Sequence, residues 1–267
     1  MERKEEFPDM IEESHGDLTL LRFDWLSDEP GLVHAVTTRP ANYAPHRGRG
    51  RAEAVAWRQR VCDALNVPFE NLTSPEQVMG GEVLPIGDGD VGCGRDGRDS
   101  AVRFVDGLVL DRPGVPMILL SADCPLVCVY DPDLIVVGAV HTSWQGTMAG
   151  AAENLVTQMV RTFGCDTSRL RAAISPSAGP CCYEVGEEVR RIARTKLKDA
   201  DVDVADRNGR LVLDLWSANR RQLLGTGIPP DRIEVAGLCS ICDERFWSHR
   251  RDGSDAGRFA LFVALRA

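Results

Sequence analysis

A layered domain that mixes β-sheets with helices is what this sequence predicts, on three observations. Short stretches rich in Val, Ile and Leu, many bounded by Gly, Pro or Asp, read as strands. A few longer segments carry apolar residues at helical spacing. The two kinds are interleaved without strict alternation, which argues for layers rather than a barrel.

The strand-like stretches are residues 18–23, 32–37, 104–110, 116–120, 126–130, 135–140, 170–174, 233–238 and 259–265. The strongest helical stripe is Met148, Ala151, Ala152, Leu155, Val156, Met159, Val160 and Phe163. Val185, Val189, Ile192, Ala193 and Leu197 form a second stripe. Residues 214–224 form a third, stopped by Gly225, Gly227 and Pro229-Pro230. Residues 51–65 form a fourth, with Val55, Val61, Cys62 and Leu65 as a weaker apolar face. Residues 86–98 are a Gly/Asp-rich loop. Its Asp88-Gly-Asp90 start resembles a calcium loop, but Cys93 stands where such a loop needs Gly and Asp99 where it needs Glu, so a solvent loop is the better reading.

The chain has 267 residues, enough for one domain with a substantial core. Residues 1–16 are polar and expected to be loosely held; residues 17–267 are read as the domain. The net charge is -9 and no Lys/Arg block stands out, which argues against a nucleic-acid partner. No apolar run is long enough to cross a membrane, and the charged N-terminus lacks an export signal. Nine cysteines, an odd number, are therefore expected as free thiols in a reducing cytoplasm.

Three segments carry chemistry. After the strand-like MILLS comes SADC, ending at Cys124. A strand, an Asp-Pro turn and a second strand then deliver His141. A hairpin of this length returns its outer ends to one edge, so Cys124 and His141 are expected as neighbours. They would form a zinc or copper ligand pair, or a nucleophile and its base, or a buried thiol beside a hydrogen-bonded imidazole. The second segment, residues 175–189, holds Cys181 and Cys182 on a Gly-Pro turn. That turn is suited either to presenting backbone N–H groups to an anion or to a purely structural role. The third runs from Cys239 to Arg258. Its Cys239-Ser-Ile-Cys242 has redox or zinc spacing, but no second such motif exists, so two buried thiols are expected. The donors His249, Arg250, Arg251 and Arg258 follow in a loop-like stretch suited to a phosphate or carboxylate.

Taken together these segments resemble the bacterial laccase-domain family, also called multicopper polyphenol oxidase-like proteins and purine nucleoside phosphorylases. The motifs are ADCPLV at 122–127, HTSWQGT at 141–147, GPCCYEVGEEV at 179–189, LDLWSANRRQL at 213–223 and CSICDERFWSHRRDG from 239, with GR ending at 258. VHAVTTRP at 33–40 and PEQVMG at 75–80 match more weakly, and the likeness runs in order from about residue 30 to the C-terminus.

The resemblance implies an α+β fold, with mixed β-sheets in a layered sandwich and outer helices in a single domain. It implies a metal-dependent purine nucleoside phosphorylase acting on adenosine or inosine with phosphate, or an adenosine deaminase. Cys124 and His141 would be the catalytic and metal-binding residues, the ion zinc or copper, and Arg250 and Arg251 the substrate-binding residues. The family's further histidine ligand is replaced by Met79, in Gln77-Val78-Met79-Gly80. A thioether is a soft, weak ligand that serves copper(I) better than zinc, so the ion is expected to be weakly held. An Arg of the family pattern is replaced by Gln145, and the segment after TTR is shortened to PANYAPHRGRG, where His46 is a candidate substitute ligand.

The same resemblance leaves other readings open. One is a peptidoglycan-precursor-editing hydrolase with Cys124 as nucleophile. Another is copper-dependent phenol oxidation, for which one Cys and one His fall short of the several copper centres required. The third is a divergent, non-catalytic binding protein, which Met79 and Gln145 support.

Overall fold

In the computed structural model, which describes residues 7–44, 50–207 and 209–266, the strands are as follows. They are β1 Ile11–His15, β2 Leu18–Arg22, β3 Leu32–Thr37, β4 Val83–Pro85, β5 Gly107–Leu110, β6 Met117–Ser121 and β7 Leu126–Asp131. Then come β8 Val136–His141, β9 Arg171–Ile174, β10 Val204–Arg207, β11 Arg210–Leu213, β12 Ile233–Val235 and β13 Phe259–Leu265. The α-helices are α1 Asp24–Ser27, α2 Arg51–Leu65, α3 Trp144–Met148, α4 Ala151–Phe163, α5 Glu187–Lys196, α6 Ala200–Asp203, α7 Leu215–Gly225 and α8 His249–Asp252.

Two sheets organise the domain. One is antiparallel, in the order β1-β2-β3-β13-β6. The other runs β12-β9-β7-β8-β5-β4 and is mixed, with parallel pairs at its two edges and antiparallel pairs between. Strand alternation gives each sheet two apolar faces. Leu21, Val36, Leu119 and Leu261 of the first sheet meet Leu108, Cys128, Val137 and Ala139 of the second. The outer face of the first sheet, with Leu20, Ile118 and Phe262, lies under Val61 and Cys62 of α2. That of the second, with Val127, Val129 and Ile174, lies under Ala151, Leu155 and Met159 of α4 and Leu223 of α7. The result is a helix–sheet–sheet–helix sandwich. Because both faces are covered, β7 and β8 are buried throughout, which is why they read as unbroken apolar runs. Where α4 presses on β8 the strand has Gly138; a Cβ there would lie 2.6 Å from Leu155 Cδ1.

The strands expected at 104–110 and 233–238 are shorter, running only over Gly107–Leu110 and Ile233–Val235, and two larger departures stand beside them. Within the N-terminal segment expected to be loosely held, Ile11–His15 pairs with β2 as an edge strand; backbone pairing holds a strand whose side chains are mostly exposed. The single helical stripe from 148 to 163 is split into α3 and α4 by Gly150, whose φ of 78° breaks the helix.

The β7–β8 hairpin is closed by Asp131, whose side chain accepts the N–H groups of Asp133 and Leu134. Its register sets Leu126 opposite His141. The outer ends of the hairpin, where the chemistry lies, thus meet at one edge of the sandwich.

Candidate active site

At that edge opens a cavity of about 450 Å³, whose walls include Gln77, Met79, Cys124, His141, His249 and Arg258. Cys124 and His141 line it together, close enough for the cysteine to act on the titration of the imidazole. The imidazole's Nδ1 lies 3.2 Å from Asp106 Oδ1, which leaves Nε2 for Cys124 and the cavity. Burial alone would push His141 towards its neutral form. Cys124 and Asp106 outweigh it and raise its pKa to about 9.

Asp106 is fully buried just ahead of β5. Its Oδ1 also accepts the N–H of Met79 at 2.8 Å, and its Oδ2 accepts those of Gly80 and Gly81 at 2.7 and 3.0 Å. Burial disfavours the carboxylate, but His141 and these N–H donors reverse that and hold it below the usual carboxylate range. One aspartate thus aims the imidazole and fixes the loop bearing Met79. The strand reading of residues 104–110 passed over it, although a carboxylate set in an apolar strand was the available signal.

The Met79 loop is conformationally special. Gln77 and Met79 both have left-handed backbones, at φ 59° and 66°. Gln77 anchors the loop by donating to Leu120 O at 2.7 Å and accepting from Leu120 N at 2.9 Å, in the manner of a strand partner for β6. Met79 is half exposed on the cavity wall. Immediately before Cys124, Asp123 has φ 95°. Its carboxylate is clamped by Ser240 Oγ and Arg250 N, each at 2.7 Å.

The arginines divide by what their guanidinium groups already bind. Arg251 donates to the carbonyls of Ser240, Ile241, Asp243 and Phe246 and pairs with Asp252. Arg250 donates to Glu184 O and stacks over Tyr183, facing a separate shallow concavity that includes Trp144 and Val185. The cavity is instead lined by Arg58, Arg98 and Arg258. Arg58 is buried on α2 and spent on the carbonyls of Tyr43, Gly94 and Arg95. It thereby ties the Gly/Asp-rich loop into the cavity wall. Arg98 is engaged by Glu76. Arg258 is held at one nitrogen by the carbonyls of Ala256 and Gly257. Burial lowers its pKa, against the opposing pull of Cys124 and Asp123.

A catalytic zinc takes three protein ligands and keeps one open position. Here Cys124 and His141 are two. Among the described residues no third His, Cys, Asp or Glu comes close enough to share an ion with them, and Met79 offers a neutral thioether. This donor set does not fit a tightly held zinc. His46 lies outside the described residues. Gln145 is exposed on α3. Elsewhere the fold draws Cys181 and Cys182 onto Cys239 and Cys242. The two buried thiols expected of Cys239-Ser-Ile-Cys242 are not found: Cys242 is exposed, because the motif's turn faces the Cys181-Cys182 turn at the surface.

A family model described as multi-copper polyphenol oxidoreductase laccase matches residues 30–266. The chain is 35% identical over 228 residues to purine nucleoside phosphorylase YlmD of Geobacillus stearothermophilus, covering 84% of this chain and 83% of that protein. It is 32% identical over 263 residues to a purine nucleoside phosphorylase of Bacteroides thetaiotaomicron, covering 93% and 97%. The crystal structure of YlmD from Geobacillus stearothermophilus superposes with a TM-score of 0.89 at 32% identity, covering 97% of this chain and all of that one.

Proposed function

Because this chain belongs to the multi-copper polyphenol oxidoreductase laccase family, we propose that its cavity performs phosphorolysis of a purine nucleoside, adenosine or inosine. The observation that carries this reading is the Asp106–His141–Cys124 line ending in a cavity of about 450 Å³ with Arg258 on its wall. Cavities of roughly 300–1,000 Å³ suit small ligands of nucleoside size.

In phosphorolysis a phosphate oxygen bonds to ribose C1′ as the C1′–N9 bond breaks. The bonding pair leaves with the purine, which must gain a proton. Asp106 and Cys124 favour the protonated imidazole of His141, which can supply that proton through Nε2. Arg258, partly desolvated, supplies the positive charge for phosphate. Cys124 holds the imidazole in place and borders the reacting atoms. None of these steps needs an ion, and a zinc at Cys124 and His141 would be held weakly for want of a third strong ligand.

The test is incubation of purified protein with inosine or adenosine and phosphate, with chromatography of free purine and ribose 1-phosphate. Both products are expected, and both are lost in Cys124→Ser and His141→Gln. No release of purine from either nucleoside would favour a second reading, a divergent binding protein, which the thioether of Met79 in a ligand position supports.

A further inference from the structure

On the flank of the sandwich, away from the cavity, four sulfurs converge: Cys181 and Cys182 from the turn that follows Gly179, and Cys239 and Cys242 from the turn after β12. All four Sγ atoms lie within 4.8 Å of one another. Cys182 Sγ and Cys242 Sγ are 3.0 Å apart, and Cys181 Sγ and Cys242 Sγ are 3.6 Å apart. Tetrahedral zinc bound to thiolates at about 2.3 Å sets its sulfurs about 3.8 Å apart. The cluster therefore needs only small side-chain adjustments to close around one ion.

We propose that Cys181, Cys182, Cys239 and Cys242 form a structural four-thiolate zinc site.

Three features favour an ion over a disulfide. First, all four sulfurs converge on one point, as ligands of a single ion must, whereas disulfides would engage them only in pairs. Second, a backbone donor is aimed at the Cys239 sulfur, which accepts the Gly179 N–H at 3.3 Å. Backbone donors aimed at a sulfur stabilise the anionic ligand that zinc requires. Third, the two turns are pressed together by design of the chain. A Cβ on Gly179 would lie 2.7 Å from the Trp216 ring and 3.2 Å from Cys239 Cβ, so only glycine lets the Cys-Cys turn approach the Cys239 turn.

Binding releases the thiol protons as four Zn–S bonds form, and no oxidant is needed. Closing the site would cross-link two turns separated by about 60 residues and so steady the turn that braces Asp123. Ser240, inside the cysteine motif, holds Asp123 beside Cys124, and Arg251 holds the carbonyls of Ser240 and Ile241.

The experiment measures zinc by elemental analysis in protein purified under reducing conditions without chelator. It uses the Cys124→Ala/His141→Ala variant, so that the cavity pair contributes nothing. About one zinc per chain is expected to remain. Adding Cys182→Ser or Cys242→Ser should lower it at least tenfold. Cobalt substituted into the same background should show the visible bands of tetrahedral thiolate coordination. Should the serine variants fail to fold, the otherwise unsubstituted protein serves: chelator should expose four further thiols to alkylation. Absence of zinc from the cavity variant, zinc indifferent to the serine changes, cobalt without thiolate bands, or a Cys182–Cys242 disulfide found by mass spectrometry would each overturn the proposal. The result is independent of whether the cavity turns over nucleosides.

Discussion

Asp106 holds His141 at two points, accepting the backbone N–H of His141 at its own carbonyl, 2.9 Å away, and Nδ1 at its carboxylate, 3.2 Å away. The same carboxylate takes three N–H donors from Met79, Gly80 and Gly81. Imidazole orientation and Met79 loop conformation are therefore one mechanical unit, and damage to one is felt by the other.

Asp106→Asn tests that unit. An amide has one acceptor oxygen, so whichever way it turns its NH₂ faces two N–H groups that the carboxylate now satisfies. The loss should be about 2–5 kcal/mol, since hydrogen bonds to buried charge contribute roughly 1.5–3 kcal/mol each and unmet donors cost more. Urea unfolding gives the stability, and inosine turnover should fall at least tenfold. A stable variant with ordinary turnover would show that the carboxylate is not what aims His141.

Arg258 and Arg251 make opposite predictions. Arg258→Gln should raise the KM for phosphate by about tenfold or more, the equivalent of roughly 1.4 kcal/mol, with a smaller loss of unfolding midpoint than Arg251→Gln, since it gives up only the carbonyls of Ala256 and Gly257. Arg251→Gln removes donors to the carbonyls of Ser240, Ile241, Asp243 and Phe246, so it should lower stability instead. The reverse pattern, with phosphate affinity following Arg251, would place the anion where the sequence suggested it.

These contrasts show what the chain's pattern made legible. The β7–β8 hairpin and the meeting of Cys124 with His141 follow from strand length and turn chemistry, both local properties. The layers follow from apolar alternation. What a guanidinium binds does not: Arg250, Arg251 and Arg258 are chemically alike in sequence, and only the fold decides that Arg251 meets carbonyls and Arg258 meets the cavity. Asp106 was hidden for the same reason, its partners lying 25 to 35 residues away in sequence. The four cysteines were hidden because a search for a repeated C-x-x-C cannot see a Cys-Cys turn brought opposite one by tertiary packing.

His34 gives the stability a pH signature. It is buried on β3, and its Nε2 accepts the Phe23 N–H at 3.0 Å. Burial, then the nearby Arg22 charge, lowers its pKa from 6.5 to about 3. The folded form therefore stays neutral over a range in which the unfolded chain takes up a proton. The contribution is present above pH 6.5 and is lost as pH falls towards 3, reaching roughly 3 kcal/mol by pH 4. His34→Gln keeps a neutral acceptor and should remove this part of the acid sensitivity. Denaturant midpoints of both proteins at pH 7 and pH 4 measure it; equal losses on acidification would mean that other groups govern the slope.

Met79→His should turn the cavity pair into a three-ligand zinc site. Position 79 lines the cavity together with Cys124 and His141. Its φ of 66° lies in the left-handed region, where His is enriched several-fold among non-glycine residues, so the substitution asks nothing new of the backbone. Asp106 would keep the loop in place through the Met79, Gly80 and Gly81 N–H groups, which belong to the main chain and survive the change. The imidazole adds a borderline nitrogen donor where a weak thioether now stands, and zinc affinity should rise by at least tenfold. The comparison is best made with Cys242→Ser in both proteins, so that zinc in the four-cysteine cluster does not mask the cavity. Zinc content after dialysis against competing chelator, with inosine turnover measured in parallel, gives the answer. Greater zinc occupancy with faster phosphorolysis would show that the methionine limits activity. Greater occupancy with no gain in turnover would point to the exposed Gln145 and the altered segment after Arg39 as further losses. Unchanged zinc content would mean that the loop does not present residue 79 to Cys124 and His141, and the three-ligand geometry would have to be abandoned.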